Sequence, residues 1–86
     1  MGEHAALALG SIVTAGFTMA IGALGAALGE SRIGAAGMDA LARQPDEATN
    51  ITRNQLVALA MVESTAIFCL VIALVLLFAN PFVAAR

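Results

Sequence analysis

Arg43-Gln44-Pro45-Asp46-Glu47-Ala48-Thr49-Asn50 is the polar interruption between two apolar stretches, and its reading decides the fold. Proline at 45 removes a helical hydrogen bond and pushes Gln44 out of the helical region, so the chain must turn here. Upstream, Ala5 to Gly29 carries no charge. As a helix it is about 37 Å long, enough to cross a bilayer with some tilt. Downstream, Leu56 to Ala79 is apolar except for Glu63 and a few hydroxyls, and it also spans. Asn50 or Thr52 is placed to cap the second helix, and Asn80-Pro81 ends it. The expectation is an all-α transmembrane helical hairpin. Helix 1 covers about 5–43, the polar turn 44–48 and helix 2 about 50–79, with a short C-terminal tail. Both termini lie on one side of the membrane.

Composition requires a surrounding other than water. Of 86 residues, 60% are apolar and 12% charged, about half the charged share of a soluble domain. A soluble chain this short cannot hide that much apolar surface in one core. The surplus must face lipid or further copies of the chain. There is no lysine and the net charge is -2, so nothing points to nucleic acid. A single Cys69 excludes an intrachain disulfide. The first residues carry neither the positive region of a secretory signal nor a myristoylation motif, and the chain is expected to be mature from there. Arg32, Arg43 and Arg53 lie on the loop side against Arg86 at the termini. By the positive-inside rule the loop faces the cytoplasm and the termini face the opposite side.

Glycine is distributed unequally. All eight glycines precede residue 38, and the second helix has none. Helix 1 is therefore thin, with Gly22 and a Gly25-x-x-x-Gly29 contact surface, and helix 2 is bulky. Small residues let helix backbones approach closely in lipid. Thin helices side by side with thick ones outside suit a closed ring of hairpins. A lone hairpin or a GxxxG dimer uses the same signal.

Two carboxylates stand out. Glu63 lies inside an apolar run, where a charge costs about 2.5–3.5 kcal/mol on insertion scales and marks function by default. Glu30 ends the apolar run of helix 1. The midpoint of 30 and 63 falls between Asp46 and Glu47, in the turn. Antiparallel helices of equal rise then bring both to one depth, about 20 Å from the turn. Two adjacent carboxylates in a dry site cannot both stay ionised. A shared proton, or a cation plus a proton, neutralises them, and they titrate as a unit. The competing reading has Glu30 snorkelling to water beside Arg32. Ser64 and Thr65 add hard oxygens next to Glu63, which favour an alkali or alkaline-earth cation. They can also simply bond back to a carbonyl of the preceding turn. Sodium is favoured on these grounds, and protons alone remain open.

The Ala42-Arg43-Gln44-Pro45 turn, the buried Glu63, the small-residue first helix and the ending Phe78-Ala79-Asn80-Pro81-Phe82 together resemble the proteolipid, or c-ring protein, of F-type rotary ATP synthases. The resemblance covers nearly the whole chain. It implies a homo-oligomeric ring turning against a stator protein, each copy carrying an ion between two half-channels. By this resemblance Glu63 is the ion-binding carboxylate. Ser64, Thr65 and the Met61 carbonyl are its sodium-binding companions, and Arg43, Gln44 and Pro45 contact the central stalk. Glu30 stands where many sodium-type rings carry glutamine, and this two-carboxylate pattern is most similar to the sodium-translocating N-ATPases. Phe68 stands where some sodium rings have a tyrosine hydroxyl. Ala23 and Ala27 replace glycines common in the family's alternating motif, which implies a wider ring. No cofactor is implied beyond the transported ion. The location implied is the bacterial inner membrane.

The remaining features are ordinary. Cys69 reads as a packed or lipid-facing thiol and His4 as a terminal polar residue. Asp39 and Arg43 form an i,i+4 pair worth a few tenths of a kcal/mol. Spacings of seven and four put Arg32, Asp39 and Arg43 on one helix face. No phosphate-binding loop is present, so the chain has no nucleotide chemistry of its own. Two other classes compete with the rotor protein. A pore-forming oligomer needs a continuous polar stripe, whereas the polar groups here gather at one level. A hairpin regulator has no need of matched carboxylates.

Overall fold

A computed structural model describes residues 2–81. Helix α1 runs Glu3–Arg43 and helix α2 runs Ala48–Phe78, joined by a single 3-10 turn, Pro45–Glu47. They form an antiparallel hairpin 64 Å long and 17 by 9 Å across. Both helices are long and apolar enough to cross a membrane. Only 6% of the most apolar window of each is buried, which separates them from the core helices of a soluble domain. Phe82 and Arg86 lie outside the described residues, as does Met1.

The turn follows from Pro45. Gln44 leaves the helical region, at φ -133° and ψ 69°, as a residue before proline must. Its N–H still donates to the Ala40 carbonyl at 2.9 Å, closing α1. Glu47 N–H then donates to the Gln44 carbonyl at 3.0 Å, and Ala48 N–H to that of Pro45. The 3-10 turn thus feeds α2 its first backbone bonds. This corrects the expected caps. α2 starts at Ala48, so Asn50 and Thr52 lie within it, and no side chain caps it. The Asn50 amide instead donates to Glu47 Oε2 at 2.9 Å. Asp46 and Glu47 place negative charge at the start of α2, where the helix dipole favours it.

Register is constant along the hairpin. Gly22 faces Cys69, Gly29 faces Val62 and Gly37 faces Gln55. At the far end the Asn80 amide donates to Ser11 Oγ at 2.6 Å. Every one of these pairs is centred on Pro45 and Asp46, so the helices keep equal rise over their whole shared length. Asn80 is 6% exposed, and the contact closes the open end of the hairpin just beyond the last turn of α2.

The glycines divide by what faces them. A methyl on Gly22 would lie 2.8 Å from Cys69 Cβ and 2.6 Å from its Sγ. One on Gly37 would strike the end of the Gln55 side chain. Gly29 meets Val62 at ordinary contact distance, while Gly10, Gly16, Gly25 and Gly34 face open space. Cys69 is therefore packed, half-buried, against Gly22. His4 is half-buried in the first turn of α1, its Nδ1 shielded from solvent without a hydrogen-bond partner among the described residues.

Candidate functional site

Helix α2 places Glu63 midway along its length, between Ala48 and Phe78. Helix α1 places Glu30 opposite, because the constant register carries its stripe of small residues to the same depth. The two carboxyl groups line one groove between the helices. Two ionised carboxylates are both acceptors, so a proton or a cation between them is what would let them share it. Glu30 is half-buried and Glu63 exposed. Together they close one end of a groove lined also by Ala23, Ala27, Ala66 and Ile67. The groove is apolar apart from the two acids, so an ion there has few other protein ligands from the same chain.

The other residues expected at the site lie elsewhere. Successive residues of a helix are 100° apart, so Ser64, Thr65 and Met61 turn away from the groove that Glu63 lines. None of the three borders it. Ser64 Oγ donates to the Met61 carbonyl at 2.6 Å, a back-bond to the preceding turn. This leaves the serine lone pairs available and puts two oxygens, one hydroxyl and one carbonyl, at one spot. The Met61 side chain is 67% exposed and Phe68 70%. Phe68 therefore points outward and takes no part in the carboxyl pair.

Arg43, Gln44 and Pro45 are exposed at the tip of the hairpin. Arg43 Nε lies 3.2 Å from Asp39 Oδ2, both well exposed. Among the described residues, no group of three or more His, Cys, Asp or Glu gathers as a metal site would. Gly22 and Gly29 meet helix α2, whereas Gly25 does not. The helix face with Gly25 is thus free for a neighbour.

Sequence reasoning missed two contacts, Ser11–Asn80 and Gly37–Gln55. Both obey the midpoint rule that located the carboxyl pair. Applied to every polar residue of the two spans, and not only to the acids, the rule would have found Asn80 opposite Ser11.

Comparison with known proteins agrees with this architecture. The family model for the ATP synthase C subunit matches residues 13–76. The second ATP synthase c-subunit of Cereibacter sphaeroides is 58% identical over 74 residues, covering 86% of this chain and 89% of that protein. The ATP synthase c-subunit of Petrotoga mobilis is 51% identical over 73 residues, covering 85% of this chain and 76% of the relative. One from a Synechococcus strain is 49% identical over 72 residues, covering 84% and 89%. With a hairpin of this register, a carboxyl pair at one depth and a match over most of its length, the chain belongs to the ATP synthase c-subunit family.

Proposed function

We propose that the chain carries sodium ions in the rotor ring, with Glu63 and Glu30 as the ion-holding pair. The chain is a non-catalytic rotor component of the ATP synthase complex. The observation that carries the proposal is the meeting of two carboxyl groups from two helices inside apolar spans. A lone charge inside an apolar span is costly and marks function by default.

The two halves of the ion site come from different copies. Glu30 and Glu63 occupy one flank of the hairpin. The Ser64 hydroxyl and the Met61 carbonyl face away from that flank, with Thr65 beside them. In a closed ring, one flank of each copy meets the other flank of the next. The neighbour's hard oxygens then complete what the carboxyl groups begin, and such oxygens suit sodium. A bound cation plus one further unit of positive charge leaves the two carboxyl groups neutral. The loaded site can then face lipid, whereas the emptied site is charged and must stay by the aqueous channel of the stator. Each elementary charge crossing the membrane yields about 2.3 kcal/mol per 100 mV, so several ions are needed per ATP. The two-carboxylate pattern favours the N-ATPase type. The loop of Arg43, Gln44 and Pro45 meets the central stalk in the cytoplasm, and the host membrane is the bacterial inner membrane.

The second reading keeps the rotor and changes the ion. Two carboxyl groups in one groove are also what a proton carrier would hold. Carbodiimide labelling of the purified ring across pH, with and without sodium, separates the two, because the reagent attacks protonated carboxyl groups. Millimolar sodium slowing the labelling of Glu63 supports a sodium site. A rate indifferent to sodium at every pH makes the ring a proton carrier and removes Ser64, Thr65 and the Met61 carbonyl from the site.

A further inference from the structure

The geometry points to an ion pair between copies, in which Arg32 of one chain reaches the Glu30 carboxyl of the next. The argument begins with which way each residue faces. On α1, positions 8, 11, 15, 22, 26, 29, 33 and 37 are buried or half-buried and share one helix face, the stripe against α2. Glu30 lies just to one side of that stripe, where it lines one groove with Glu63. Arg32 is two residues on, 200° round the helix and only about 3 Å nearer the turn. It is exposed and lies on the opposite flank. Asp39 and Arg43 share that flank by spacing, but they pair with each other and lie two and three turns away.

Copies arranged side by side in a closed ring are related by rotation, so every interface joins unlike flanks. The flank with Arg32 therefore meets the flank with Glu30 at every interface. Small residues border both partners. Gly25 and Ala36 accompany Arg32, while Ala27 and Gly34 accompany Glu30, and all four are exposed or half-buried in the lone chain. Leu28, one turn before Arg32, is the bulky residue on its flank, and at the glycines and alanines beside it the helix backbones approach closely. A guanidinium leaving one flank then has the opposite carboxyl as its nearest acceptor, and an apolar setting strongly favours that partner over none.

The pair alters the charge balance of the site. In a lone chain a proton is the available counter-charge for Glu30 and Glu63. In the ring, Arg32 supplies a fixed positive charge at nearly the same depth. One arginine and one bound cation neutralise two carboxylates, so loading the ion does not require an accompanying proton. The inference rests on the side-by-side ring of the proposed function but not on the identity of the ion.

The absence of lysine allows a direct test. Arg32→Lys introduces the chain's only lysine amine. Purified rings of this variant are treated with a membrane-permeant carbodiimide. The reagent activates the Glu30 carboxyl, the neighbouring amine attacks it, and an amide forms as one carboxyl oxygen leaves with the reagent as a urea. The expected result is a ladder of dimers, trimers and higher species on a denaturing gel, with peptide mapping that joins position 32 of one copy to Glu30 of another. Adding Glu30→Gln removes the ladder. Rings that migrate intact and take up reagent at Glu63, yet give no ladder or link position 32 elsewhere, overturn the ion pair and leave the ring standing. A chain that never assembles overturns the ring and the pair together.

Discussion

Along the seam where α1 meets α2, Ala15, Ala26 and Ala73 are 2%, 7% and 3% exposed. On the flanks and outer face, Phe17, Ile21, Met61 and Phe68 are each 64–70% exposed. The seam is thus complete within one chain and consists almost wholly of small residues. No large side chain is fully buried among the described residues. The hairpin therefore lacks the core that would let it stand alone in water, and its bulky residues await lipid or other copies. The difference teaches that this sequence encodes two packings at once. One is the close approach of two helices within a chain, and the other is the lateral approach of chains to one another. The carboxyl pair sits where the two packings meet, one acid from each helix, opening on a flank.

Removing the charge at that junction has the largest expected effect. Glu63→Gln keeps the size and polarity of the side chain but cannot ionise or release a proton. Ion transport and ATP-driven rotation fall to background in reconstituted vesicles, while the ring still migrates intact. Loss of the ring in this variant would mean that Glu63 serves packing, and the seam and flank could not be treated apart.

The glycines test the comparison next. Gly22→Ala pushes a methyl against Cys69 Cβ as well as its sulfur, and a β-carbon cannot swing aside. Overpacking of this kind costs about 1–3 kcal/mol, and the ring should dissociate at a lower temperature in detergent. Cys69→Gly in the same chain should restore it. Gly37→Ala meets only the end of Gln55, which can rotate away. The gain in helix propensity, up to about 1 kcal/mol, offsets the displacement, so stability stays near wild type. Gly25→Ala meets nothing in the lone hairpin. Any loss of ring stability there reports the flank and not the seam, and Cys69→Gly should not rescue it.

At the open end, the Asn80–Ser11 hydrogen bond holds the seam closed. Side-chain hydrogen bonds within membranes average about 0.6 kcal/mol and reach about 1.7. Asn80→Ala should fall in that range by ring dissociation. Ser11→Ala added to it should cost little more, since the bond is already gone. Additive losses would show that each residue acts through a different partner.

Much of this was legible from residue order. Pro45 fixed the turn, two long apolar runs fixed the spans, and the midpoint of Glu30 and Glu63 placed them together without a coordinate. Position along an antiparallel hairpin is a linear quantity, so simple counting recovers it. Direction around a helix is less forgiving. Ser64 and Thr65 adjoin Glu63 in sequence, yet 100° per residue turns them out of the groove that Glu63 lines in its own chain. The caps failed for a related reason. Asn50 and Thr52 have the right chemistry, but the 3-10 turn started by Pro45 had already supplied the first bonds of α2. The distinction between Gly22 and Gly25 could not be counted at all. It depends on which one meets the Cys69 β-carbon, a matter of side-chain placement across the seam.

The smallest effect expected belongs to the loop side, where neither packing reaches. Asp39 and Arg43 pair across one turn of α1, at side-chain exposures of 63% and 76%. Exposed pairs of this kind contribute about 0.3–0.5 kcal/mol, and salt screens them. Asp39→Asn should therefore shift the ring's dissociation temperature slightly at low ionic strength and not at all in high salt. A shift that persists in high salt would show that Asp39 meets a charge shielded from solvent. The neighbouring copy's flank is the surface able to provide such shielding. In that case the lateral packing extends two turns further toward the loop than Arg32, and the boundary between the seam and the solvated tip moves with it.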